Sequence, residues 1–191
     1  MNLCIIDFEA TCDENNNKWD NEIIEFGCVF YELGAPVPEF EFQSFVRPVK
    51  NPALTPFCTK LTGITQRDVD AAAAFPAVLN RFNAALAAGL GPDFKDKTLF
   101  ASWGYYDFRQ LKRDCKRHKA EFPFHAWHLN IKQEYLAFYK QTEGYLGAAT
   151  DQLGIEWEGK PHRGIDDARM ANKVLKRMVS DGYQIVGIIE K

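Results

Sequence analysis

Two acids close an apolar run in CIIDFEATC, Asp7 and Glu9, with Phe8 between them. If the strand that starts at residues 3–6 continues, side chains two apart share a face, and these carboxylates stand about 7 Å apart on it. Like charges in a half-buried place repel and resist desolvation. A hard divalent cation, which prefers oxygen ligands, would offset that cost. The other reading ends the strand at Ile6 and leaves both acids solvated. A third acid, Asp107, follows KTLFASWG, and HRGIDDAR offers Asp166 or Asp167. Helical spacing separates those two. From Asp167 the positions +4, +7 and +11 are Ala171, Val174 and Met178, so Asp167 heads an apolar stripe and faces inward. From Asp166 the same steps reach Met170, Lys173 and Arg177, a mostly solvated face. Asp166 reads as a first-turn partner of the helix dipole. His162 lies in a loop before this helix, where an imidazole can accept a proton near neutral pH. Taken singly, Asp107 could be a helix-start acid and His162 a surface residue.

These groups need elements to hold them. DENNNKWDN, residues 13–21, is a polar loop, and 22–33 reads as a second strand. A turn with Gly34, Pro36 and Pro38 leads to a third strand over 39–49, which completes an antiparallel meander. Thr65 with Asp68 three residues on marks a helix start close to a capping box. Helices are expected over 75–88, 106–119, 131–140, 145–153 and 166–180, with a fourth strand at 97–104 and a short strand in YQIVGII. A fourth strand parallel to the first would bring Asp107 near Asp7 and Glu9, because ligands in open α/β sheets gather at strand C-termini. The whole reads as one domain over 1–191, an α/β fold with a central mixed sheet flanked by helices.

The chain of 191 residues is 46% hydrophobic and 14% aromatic, as expected for one globular core. Its net charge of −3 argues against tight non-specific coating of nucleic acid, though not against nucleic acid as a substrate. Five cysteines with no CxxC pair disfavour a zinc site or a disulfide framework. No apolar run approaches the ~20 residues of a membrane helix, and no secretory signal is seen, so the cytoplasm is the expected compartment. The helix at 106–119 presents Arg109, Lys112, Arg113, Lys116 and Arg117, either a solvated face or an RNA track.

An acid pair on a strand, an acid after a later strand and H-x4-D opening a final helix occur in that order. This constellation resembles the DEDDh 3′–5′ exonucleases, with Asp7, Glu9, Asp107, Asp167 and His162 as the matching residues. IIDFEATC, EIIEF, FVRP, FC-x2-LTGIT and KPHRGIDDAR are similar to the Eri-type (enhanced-RNAi) branch, which works on RNA 3′ ends. The resemblance implies an RNase H-like fold and two divalent ions, Mg²⁺ or Mn²⁺, about 4 Å apart. Asp7 would bridge them, Glu9 and Asp167 would join it at the first, and Asp107 would hold the second. His162 would take a proton from the attacking water, and nucleoside 5′-monophosphates would leave. The resemblance further implies that Phe57 and Leu61, in a loop FCTKLTG, pack against the terminal nucleotide. Backbone groups near Phe8 and Glu9 would meet its 3′-hydroxyl. Trp103 could line the pocket, with core packing as the alternative. One departure is that Asp107 follows Trp-Gly-Tyr-Tyr, where some relatives have the acid directly after tryptophan. DNA as substrate, or a catalytically silent RNA-binding module, are the competing readings.

Overall fold

The run Leu3, Cys4, Ile5, Ile6 is apolar without alternation, which suits a strand covered on both faces. In the computed structural model, which describes residues 2–16, 19–32, 40–125 and 127–185, this run lies in β1 (Asn2–Ala10). β1 is the middle of a five-stranded sheet with β2 (Ile23–Glu32), β3 (Phe40–Phe45), β4 (Thr98–Ser102) and β5 (His128–Asn130), in the order β3-β2-β1-β4-β5. β1, β2 and β3 form the antiparallel meander, and β4 joins β1 in parallel, as the sequence suggests. β5 pairs in parallel with β4.

The alternation of β1 sorts the molecule into two layers. Cys4, Ile6 and Phe8 point into a core with Phe26, Phe30, Phe82 and Phe100, under α3 (Phe75–Leu90) and α5 (Tyr106–Arg117). Leu3 and Ile5 point into the other core, with Tyr135, Val174, Leu175 and Met178. That layer consists of α6 (Ile131–Tyr139), α7 (Leu146–Gln152) and α8 (Gly164–Ser180). Asp7 and Glu9 continue the Leu3–Ile5 row, so they emerge on the face that α8 covers. The strand does not end at Ile6.

Among the described residues three short helices remain: α1 (Pro56–Thr62), α2 (Gln66–Asp70) and α4 (Phe94–Lys97). The capping box at Thr65 and Asp68 is formed in full. FCTKLTG is a helix rather than the expected loop. Thr55 caps it by accepting from the Cys58 N–H at 3.0 Å, Pro56 opens it, and Gly63 ends it with φ 70°. The third strand is shorter than expected. It stops at Phe45, after which Arg47 bridges to Ala74. No strand covers residues 183–185, and the rest of YQIVGII, like the turn at Gly34, Pro36 and Pro38, lies outside the described residues. Among the described residues no helix is long and apolar enough to cross a membrane.

Candidate active site

β4 pairs with β1 only as far as Ile5 opposite Ala101, so the last residues of β1 have no strand on that side. Asp107, in the first turn of α5, fills the gap. Its Oδ1 accepts the Phe8 N–H at 3.0 Å, and its side chain is buried. That bond places the third acid beside the first two. It also occupies the Phe8 N–H, and the Phe8 ring packs edge-on against Phe26 in the core.

Asp167 arrives from the opposite direction. α8 approaches the sheet closely enough that a Cβ on Gly27 would lie 2.0 Å from the Gly164 carbonyl carbon, and one on Gly164 would lie 2.7 Å from the Asp7 oxygen. Only glycine fits either place. Glu25, fully buried on β2 directly opposite Glu9, fastens the helix start. Its carboxylate accepts from the Arg163 guanidinium at 3.1 Å twice, from the Gly164 N–H at 3.2 Å and from Gln43 at 2.8 Å. Such saturation is what a buried carboxylate requires. His162, just before this anchor, adopts φ 61°, a conformation uncommon for a side-chain-bearing residue. Its N–H donates to Asp167 Oδ2 at 3.0 Å. Loop and acid therefore hold each other.

The acids raise one another's proton affinity. Burial, then Asp107, Asp167 and Glu9, push Asp7 well above the usual carboxylate range. Burial with Asp167, Glu25 and Asp107 pushes Glu9 up to about 8. Burial raises Asp107 and Asp167 to about 7 each, against hydrogen bonds that pull the other way. Asp167 Oδ1 is buried with no hydrogen-bond partner. Glu9, His162 and Asp167 each bring a ligand atom within 4.8 Å of the others. An orphaned carboxylate oxygen, clustered acids and an adjacent imidazole are what a divalent cation would satisfy, so the residues fit a metal. Asp166, the acid judged outward, bonds instead to the Lys160 N–H and Arg169.

A cleft of about 500 Å³ reaches the cluster at His162, and Glu14, Pro56, Phe57, Lys60 and Leu61 line the rest of it. Phe57 and Leu61 therefore share a wall with His162, carried by a helix. α1 is tied to the end of β1, because Thr55 Oγ1 donates to the Cys12 carbonyl at 2.6 Å. Trp103 is committed elsewhere. Its indole N–H donates to the Gly144 carbonyl at 2.9 Å and its ring packs on Tyr135, the core role rather than the pocket role. Tyr106, which the sequence reading passed over, stands half-exposed next to Asp107, and burial and that carboxylate push its hydroxyl up. Glu25 was also passed over. An acid inside the apolar EIIEF was its one signal.

Comparison with known proteins places this geometry. A family model described as Exonuclease (RNase_T) matches residues 4–175. The chain is 37% identical over 190 residues to "3'-5' exoribonuclease 1" of Rattus norvegicus, covering 96% of this chain and 54% of that protein. It is 36% identical over 201 residues to "ERI1 exoribonuclease 2" of Danio rerio, covering 96% of this chain and 36% of that one. Among solved structures, the nuclease domain of 3'hExo, a DEDDh family member bound to rAMP, superposes with TM-score 0.90 at 36% identity, covering 100% of this chain and 96% of that one. A 3'-exonuclease structure described as showing 3'-end specific recognition of a histone mRNA stem-loop gives TM-score 0.86 at 34% identity, covering 95% of this chain and 64% of that one. The chain belongs to the exonuclease (RNase_T) family, among the DEDDh nucleases with an RNase H-like fold. Membership implies dependence on a divalent metal. The chain spans about half the length of the curated exoribonuclease 1 relative it matches.

Proposed function

We propose that this protein is a 3′–5′ exoribonuclease that removes nucleoside 5′-monophosphates one at a time from RNA 3′ ends. The observation that carries the reading is the convergence of Asp7, Glu9, Asp107 and Asp167 beside His162, which itself lines a cleft of about 500 Å³. Asp7, Glu9, Asp107 and Asp167 would hold two divalent ions, Mg²⁺ or Mn²⁺. When bound, these would supply charge stabilisation at the terminal phosphodiester and acidify a water. His162, its backbone fixed to Asp167, offers its ring to that water and takes the proton as oxygen attacks phosphorus. The bond from phosphorus to the 3′ oxygen of the preceding nucleotide breaks. The products are a nucleoside 5′-monophosphate and a strand shortened by one residue, its new 3′ oxygen protonated by solvent. Phe57 and Leu61 supply an apolar wall for the terminal base, and Lys60 a cation at the rim.

The test is a 5′-labelled single-stranded RNA and the matching DNA, each with Mg²⁺ or Mn²⁺, and Asp7→Ala as control. The expected result is a ladder shortening from the 3′ end, faster on RNA and absent in the control. Faster loss of DNA would assign the chain to DNA. Binding without any ladder would make it a silent module.

A further inference from the structure

α5 carries two acids and five cations, and the fold sorts them by sign. Both acids, Asp107 and Asp114, are buried. Asp114 is consumed by the Ile23 N–H, by Gln110 and by Arg117, and Arg117 also binds Asp20 at 2.6 Å. Asp20 in turn holds Lys50. Lys112 lies 4.1 Å over the Phe108 ring. Three cations remain, Arg109, Arg113 and Lys116, all exposed and without an ion pair among the described residues. With Tyr106 they are spaced by three, four and three residues, which puts them on one ridge of the helix. At 1.5 Å per residue the ridge is about 15 Å long. It starts beside Asp107, at the carboxylate site, where the Tyr106 ring is 40% exposed.

We infer that the ridge Tyr106, Arg109, Arg113 and Lys116 is the track that holds the RNA strand 5′ to the bond being cut. This rests on the exoribonuclease reading. A polyanion approaching four clustered acids on a chain of net charge −3 gains nothing from the overall field, so attraction must be local. The ridge supplies it with cations that no ion pair holds, although Arg113 lies within electrostatic reach of Asp20. An aromatic ring at its site end suits an unstacked base, which selects a single strand rather than a duplex. A track of this length engages several nucleotides at once, so a very short substrate would not reach it.

Arg109→Gln, Arg113→Gln and Lys116→Gln are combined and assayed on a single-stranded RNA dodecamer and on a dinucleotide. The KM for the dodecamer is expected to rise about tenfold with kcat unchanged, and the salt slope of binding to fall by about two, at ~0.7 per lost phosphate contact. The dinucleotide is expected to be cleaved as before. Lys95→Gln removes a part-buried cation elsewhere, one paired with Glu121, and should change neither. An unaltered salt slope, or equal losses on both substrates, overturns the track. Fluorescence anisotropy of the labelled dodecamer reads the same slope without cleavage. A protein that makes no ladder but loses salt dependence in the triple variant refutes the exoribonuclease reading and keeps the track.

Discussion

Glu9 shows what the site demands of a single residue. Its carboxyl is nearly buried, faces Asp167 and Glu25, and is pushed up to about 8. Glu9→Gln removes that repulsion. The metal-free protein should gain about 1 kcal/mol, read as a rise of a few degrees in melting temperature at pH above 8, while activity and stabilisation by Mn²⁺ disappear. A loss of stability in EDTA would show that the acids are not strained. The pH dependence follows from the same shifts. A carboxyl whose folded pKa exceeds its unfolded value keeps its proton in the folded protein after the unfolded chain has released it. Its stabilisation is complete at acid pH and lost as pH rises. The metal-free protein should therefore melt at progressively lower temperature from the ordinary carboxylate range up to about 8, the value at Glu9, passing about 7 at Asp107 and Asp167. Saturating divalent cation should flatten or invert that trend in a melting series. Strand alternation and helical periodicity made Asp7, Glu9 and Asp167 legible. Glu25 was not legible, because its partner Arg163 is 138 residues away and an acid inside an apolar strand names no partner.

At the level of elements, the start of α8 is the part that tolerates least. Gly27→Ala puts a methyl into the Gly164 backbone, and a shift of the helix is the only relief. A loss of at least about 3 kcal/mol in denaturant unfolding is expected, with activity falling further than stability because Asp167 and His162 move together. Glu25→Ala strands the half-buried Arg163 and should cost about 2–3 kcal/mol, whereas Glu25→Gln should cost less and recover part of the activity. The opposite order would remove Glu25 as the anchor. Most elements were legible from pattern: the meander, the Thr65 helix and the amphipathic helices lie within a few residues of expectation. α1 is hard to see in the sequence although Thr55 and Pro56 at its start and Gly63 after it are ordinary end signals, because seven residues leave little room for periodicity. β5 has three residues, too few to show alternation at all, and exists because β4 offers it an edge.

For the molecule as a whole, the acid cluster joins β1, early in the sequence, to α8, late in it, so cation binding should report on global folding. Melting temperature should climb with Mn²⁺ concentration, reaching about 2.7 kcal/mol of stabilisation at a hundred times the dissociation constant. A flat response would mean that the acids do not bind the ion. Phe82→Ala, on the face of the sheet away from Asp7 and Glu9, should cost about 3–5 kcal/mol yet leave KM unchanged in whatever fraction stays folded.

The anchor between Glu25 and Arg163 spans 138 residues, and it sets a delay. A ribosome adding about 5–20 residues each second needs roughly 7–28 s to travel from one to the other. For most of that interval the nascent chain has Asp7 and Glu9 outside the exit tunnel and nothing to complete them. Under the proposed activity, a half-made copy is thus chemically silent beside the messenger that encodes it, and competence arrives only with the closing helix. Arrested chains cut short before His162 should show no Mn²⁺-dependent protease protection, and protection there would contradict the delay.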